Sequence, residues 1–141
     1  MKKLQLIKNA NKIVIKIGSS LLIDNGKFNY KWLRSFVEDI DSILKKTQII
    51  IVASGAVSLG KSYLKFNSNK INLNMKQAFA ACGQIFLMNN FIKVFEENKK
   101  KVAQILLTFS DTENRRRSLN SRETIKSLLL SDVIPIINKI Y

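Results

Sequence analysis

Lys16 lies within an apolar run, Ile13-Val14-Ile15-Lys16-Ile17, directly before Gly18-Ser19-Ser20. A buried, unpaired ammonium costs on the order of several kcal/mol, so this lysine must pair with a carboxylate, reach solvent or meet a bound anion. Gly18 lets backbone come close to a phosphate, and the amides and hydroxyls of Ser19 and Ser20 can donate to it. Taken alone, a lysine snorkelling from a strand end explains Lys16 equally well. A second group of small residues, Ser54-Gly55-Ala56, follows another apolar run and precedes a helical pattern. Free N–H groups at a helix N-terminus there would suit a carboxylate or phosphate. The competing reading is a tight turn with Ser54 as the helix cap. Neither the Walker spacing nor a G-x-G-x-x-G fingerprint is present. If the two strand ends are neighbours in one sheet, they suit a reaction that joins two anions. Asp111, just after Thr108, reads more readily as a loop cap than as a substrate contact. Arg122 and Glu123 suit solvent or interface pairing, and Asn138 puts a polar amide at another strand end.

Composition narrows the chemistry further. The chain has no histidine and one cysteine, Cys82, which excludes an internal disulfide, a Cys/His zinc cluster and the Ser-His-Asp and Cys-His mechanisms. Phosphoryl transfer fits what remains, because its catalysis is mostly positioning and neutralisation of charge. The net charge of +14 and the pI near 10.1 would attract polyanions. The surplus is lysine-heavy in a chain also rich in Ile and Asn, a pattern that codon bias toward A and T produces without any selected binding surface. The densest basic runs, Lys99-Lys100-Lys101 and Arg115-Arg116-Arg117, have no interleaved aromatics to stack bases, so nucleic acid is a disfavoured partner.

These residues need a scaffold. The length of 141 residues and the hydrophobic share of 46% predict one globular domain with an ordinary core. No uninterrupted apolar stretch approaches the ~20 residues that span a bilayer, and Lys8, Lys12 and Lys16 break any signal-peptide core, so a cytoplasmic, membrane-free protein is expected. Four runs rich in Ile and Val, Ile13 to Ile17, Gln48 to Ala53, Val102 to Leu107 and Val133 to Ile137, predict strands covered on both faces. Between them, helices are predicted over Tyr30 to Leu44, Ala56 to Leu64, Met75 to Phe95 and Leu119 to Leu130. The first buries Trp32, Leu33, Phe36, Val37, Ile40, Ile43 and Leu44, and the third buries Ala78, Cys82, Ile85, Phe86, Ile92 and Phe95, with Gly83 as a close-packing point. Lys65 to Asn74 and Ser110 to Ser118 read as polar connections. The order β-α-β-α-α-β-α-β implies right-handed crossovers and an α/β fold, a mainly parallel sheet between helix layers. In such sheets ligands bind beyond the carboxyl ends of the strands, where the residues above lie.

In combination, several segments resemble the glutamate 5-kinases, a branch of the amino-acid kinase family, over nearly the whole chain from Lys12 to Asn138. They are Val14 to Ser20, Ser54-Gly55-Ala56, Lys76-Gln77-Ala78 with Ala81-Cys82-Gly83-Gln84, Leu106-Leu107-Thr108 with Asp111, Leu119 to Arg122 and Val133 to Asn138. The resemblance implies a three-layer α/β/α sandwich that transfers the γ-phosphoryl group of ATP, with Mg2+, to the side-chain carboxylate of L-glutamate on the route to proline. It implies that Lys16 acts as the catalytic cation on the ATP phosphates and that Gly18 and Ser19 line the phosphate loop. Ser54, Gly55, Ala56 and Asn138 would hold glutamate. A carboxylate nucleophile is already ionised at neutral pH and needs no histidine base. The chain departs from the pattern after Asn138, where the family continues Glu-Asn-Asp and this sequence has Lys139-Ile140-Tyr141. Tyr141 then replaces a substrate-binding aspartate, and the family's nucleotide-binding half is expected to be missing, leaving an N-terminal, substrate-side part of the kinase domain over residues 1–141.

Three readings follow from this. The chain is the glutamate-binding part of a kinase, impaired unless a second copy or a complementing kinase half completes it; it is a non-catalytic basic interaction module; or it is the remnant of a decayed gene.

Overall fold

The computed structural model describes residues 2–43 and 45–139. Leu44 of the expected helix and Tyr141, the expected aspartate replacement, lie outside the described residues. The elements run α1 (Lys2–Lys8), β1 (Lys12–Ile17), α2 (Ser19–Leu22), β2 (Ile23–Asp24), β3 (Lys27–Phe28), α3 (Tyr30–Ile43), β4 (Gln48–Ala53), α4 (Ala56–Tyr63), α5 (Leu73–Glu97), β5 (Lys101–Leu107), α6 (Phe109–Glu113), α7 (Arg115–Leu130) and β6 (Val133–Lys139). The four long strands form one parallel sheet in the order β1-β4-β6-β5, so the predicted α/β architecture holds. On one face, Ile17 of β1, Ile49, Ile51 and Ala53 of β4, and Ile136 of β6 pack against Leu33, Val37 and Ile40 of α3 and Leu87, Phe91, Val94 and Phe95 of α5. Each fully buried Leu or Phe of this kind contributes roughly 1.5–3 kcal/mol. On the other face α7 lies over the sheet, with Leu129 buried beneath it.

The expectation that every strand is covered on both faces fails for the two edge strands: in β5 Gln104 and Leu106 are exposed, and β1 is open along one side. Its burial alternates, with Lys12, Val14 and Lys16 facing outward and Val14 60% exposed. An edge strand has a neighbour on one side alone, whereas β4, in the interior, is buried nearly throughout. Pro135 sits in interior strand β6, and the ladder with β4 starts only at Ile136, one residue past the position that has no N–H to give.

Two other expectations are corrected. The segment from Ser110 to Ser118 is largely helical, forming most of α6 and the first turn of α7. Thr108 and Asp111 make a capping box for α6, and the Asn114 side chain accepts from the Arg116 and Arg117 amides to start α7. In α5 the buried residues are Phe79, Gly83, Leu87, Met88, Phe91, Val94 and Phe95, while Ile85, Phe86 and Ile92 of the expected face are exposed. Apolar residues surround most of this helix, so its pattern does not define which side faces inward. By length and composition α5 could cross a membrane, yet Gln84, Asn89, Asn90 and Lys93 interrupt it and one side is in the core.

Glu97 of α5 accepts two 3.0 Å hydrogen bonds from Arg34 of α3, and Asp41 pairs with Lys100 at 2.9 Å. These partners, and in Asp111 the Thr108 hydroxyl and amide, hold the three carboxyls below the usual carboxylate range. A pKa lowered by folding stabilises above the unfolded value and ceases to do so as pH falls through the lowered one. The melting temperature is therefore expected to drop as pH falls below about 4. A thermal melt series from pH 6 to pH 2 tests this, and a flat profile would dismiss these contacts.

Candidate active site

The carboxyl ends of β1 and β4 are neighbours, with Lys16 beside Val52 and Ile17 beside Ala53. The strand pairing continues into the turns. Both the amide and the hydroxyl of Ser54 donate to the Ile17 carbonyl, at 3.2 and 3.3 Å. Ser54 is thereby turned away from capping α4, and the N-cap is Gly55, with no side-chain hydrogen bond. This decides against the Ser54-cap reading and, among the described residues, leaves the first amides of α4 without a side-chain cap. Gly55 has φ 121°, in the region that favours glycine, and a Cβ there would lie 2.8 Å from Ile23 Cδ1 and 3.7 Å from Ser19 Cβ. The Gly18-Ser19 turn and the Ser54-Gly55-Ala56 turn are therefore neighbours, with room between them for little more than a methyl group.

Across the sheet, Ile51 is level with Ile136 and Val52 with Ile137, which puts Asn138 beside the end of β4. Ile17, Ala53 and Asn138 form one buried row on the α5 side, whereas Lys16 belongs to the opposite row with Val52 and Ile137. The structure thus brings Lys16, Ser54 and Asn138 to one end of the sheet, but Lys16 leaves it on the opposite face from Asn138. Lys16 is exposed, and among the described residues it has no ion-pair partner. Of the three solutions open to this lysine, it takes the solvent.

Asn138, the buried polar residue of this row, donates through Nδ2 to Oε1 of Gln84 on α5. Next to Gln84, Gly83 packs directly on the backbone of Ala56 and Gly60, and Gly60 in turn packs on the backbone of Phe79. The close-packing role expected for Gly83 is observed, and it fixes α5 against the turn that opens α4. Asp111 spends its carboxylate on the Thr108 amide and hydroxyl, at 2.8 and 2.6 Å, which is the cap reading. Arg122 and Glu123 are exposed on α7, along an open groove of about 660 Å³ on the sheet's other face.

The sequence reading missed the β2–β3 hairpin, whose Ile23 packs against Gly55. Its signal was present in Asp24-Asn25-Gly26-Lys27, and Asn25 (φ 48°) and Gly26 (φ 74°) adopt the left-handed pair that an Asn-Gly turn provides. It also assigned no role to Gln84. The basic runs lie apart: Lys99 and Lys100 sit with Lys45 and Lys46 at the amino end of the sheet, while Arg115 to Arg117 open α7 beyond the carboxyl end of β5.

A parallel sheet with paired turns at its carboxyl ends is the frame of a ligand-binding α/β domain. The amino acid kinase family profile matches residues 11–141, and this chain belongs to that family. It is 44% identical over 135 residues to the glutamate 5-kinase of Pelagibacter ubique, covering 94% of this chain and 37% of that protein. It is 41% identical over 141 residues to the glutamate 5-kinase of Teredinibacter turnerae, covering 99% of this chain and 38% of the relative. The chain therefore spans little more than a third of the length of these curated relatives. Among solved structures, the UMP kinase from Ureaplasma parvum superposes with a TM-score of 0.55 at 18% identity, over 92% of this chain and 54% of that one, a likeness of fold.

Proposed function

We propose that this chain is the substrate-side part of a glutamate 5-kinase, a cytoplasmic enzyme of proline synthesis, and that L-glutamate binds at the carboxyl ends of β1, β4 and β6. The observation that carries this reading is the pairing of β1 with β4, which leaves the Gly18-Ser19 and Ser54-Gly55-Ala56 turns, two anion-friendly strand ends, side by side. Ser54, Gly55 and Ala56 hold the amino acid, with uncapped α4 amides donating to a carboxylate. Asn138 bounds the site from the β6 side. Gly18 and Ser19 face the ATP phosphates, and the Lys16 ammonium bends over the strand end to neutralise charge on the transferring group. In that transfer the ionised glutamate carboxylate attacks the γ-phosphorus, a new P–O bond forms, and the bond to ADP breaks.

Mg2+ is the usual companion of such transfers. Such an ion is held largely by the nucleotide phosphates and water with one or two carboxylates; among the described residues no cluster of three or more His, Cys, Asp or Glu converges, and no residue or step is assigned to it.

Titration calorimetry of the purified 141-residue chain with L-glutamate tests the reading. Saturable binding that weakens in Ser54→Ala is expected; heats no larger than dilution would reject it. The nucleotide side needs more chain, so residues 11–141 are grafted in place of the matching segment of the Pelagibacter ubique relative. Gly18 has φ −75°, and a Cβ there would meet nothing closer than Ser20 Oγ at 3.9 Å, so the fold itself does not demand glycine. Gly18→Ala in the grafted enzyme is expected to leave the melting temperature unchanged and raise KM for ATP, because the added methyl blocks close approach of a phosphate. An unchanged KM would detach Gly18 from the nucleotide.

A further inference from the structure

Nε2 of Gln84 is buried and, among the described residues, has no hydrogen-bond partner. Leaving such a donor unpaired costs about 1–3 kcal/mol, and a leucine or methionine on the same turn of α5 would avoid that cost. The amide is oriented by its other end, because its Oε1 accepts from Asn138 Nδ2. Its backbone is held as well, since the neighbouring Gly83 packs on the Ala56 carbonyl. The result is a buried N–H on a side chain anchored to the last buried residue of β6, next to the glycine that packs on the first residue of α4.

We propose that Gln84 is a substrate contact whose N–H donates to a carboxylate of the bound amino acid. The proposal rests on the glutamate-binding reading above and adds a contact to it. An acceptor entering between the two strand ends replaces the missing partner, and the Asn138 bond keeps the donor oriented before the ligand arrives. Gln84 and Asn138 thus act as a linked pair, one end anchoring the strand and the other facing the ligand.

The test uses the 141-residue chain and L-glutamate, with side-chain amide signals followed by nitrogen-15 NMR. The Gln84 signal is the pair missing from Gln84→Met. It is expected to move on titration with L-glutamate, and Gln84→Met is expected to bind about tenfold or more weakly, the loss of a hydrogen bond to a charged group. Gln84→Glu, which sets one carboxylate against another, should bind more weakly still. A Gln84 signal that stays in place while L-glutamate binds overturns the proposal and leaves the glutamate reading standing; that measurement needs only the unmutated protein. Equal affinity of the wild type and a folded Gln84→Met does the same. A wild-type chain that binds no L-glutamate overturns both.

Discussion

Replacing Gly83 with alanine is expected to destabilise this protein by roughly 3 kcal/mol or more, at the upper end of what overpacking costs. A Cβ at this position would fall inside the Ala56 carbonyl and 2.6 Å from the Gly60 amide, both of them backbone atoms that no rotamer change can move aside. Helices α4 and α5 must then separate, and the separation begins at Ala56, the first residue of α4. Loss of stability and loss of L-glutamate binding should therefore appear together. Gly60→Ala meets the Phe79 backbone in the same manner and is expected to behave alike. Urea unfolding gives the first quantity and calorimetry the second. A Gly83→Ala protein with wild-type stability would mean that the two helices are not packed backbone to backbone. Since stabilities of whole domains run to about 5–15 kcal/mol, this one methyl group removes a large share.

The second large effect falls on rate. In the enzyme grafted with residues 11–141, Lys16→Ala is expected to lower kcat by about 10²–10³, the usual consequence of removing one donor aimed at developing charge. The melting temperature should stay close to that of the unsubstituted graft, because Lys16 is exposed and, among the described residues, without an ion-pair partner. KM for L-glutamate should hardly change, since Lys16 leaves the sheet on the opposite face from Asn138 and Gln84. Lys16→Arg is not a neutral control: the planar guanidinium presents its donors differently from a compact ammonium. An unchanged kcat in Lys16→Ala would return the residue to the alternative reading, a lysine snorkelling from an edge strand.

Several parts of this protein could be read without its tertiary structure. The four Ile- and Val-rich runs are strands because β-branched residues in short apolar stretches have few other stable arrangements, and their alternation with helices requires a parallel sheet. The first two end at the Gly18-Ser19 and Ser54-Gly55-Ala56 turns, where small residues ease the change from strand to helix. The missing histidine settled which chemistries were closed. Family membership was also legible, carried by short segments whose order and spacing are specific in combination.

Other properties depend on neighbours far away in sequence. Of the apolar residues expected on the inward side of α5, Phe95 is buried but Ile85, Phe86 and Ile92 are not, because they are as apolar as Phe79, Leu87 and Phe91 and only contact with α4 through Gly83 selects the inward side. The exposure of Lys16 follows from the edge position of β1. Ser54 could cap its own helix or bond across the sheet, and the adjacent Ile17 carbonyl decides for the second. Gln84 and Asn138 are 54 residues apart in sequence and meet only when α5 lies against the end of β6. Residue types and spacing thus determine the elements and where their ends fall, because those depend on local sterics and periodicity. Packing alone decides which polar groups face each other across those ends, because a hydrogen bond depends on where the other element lies.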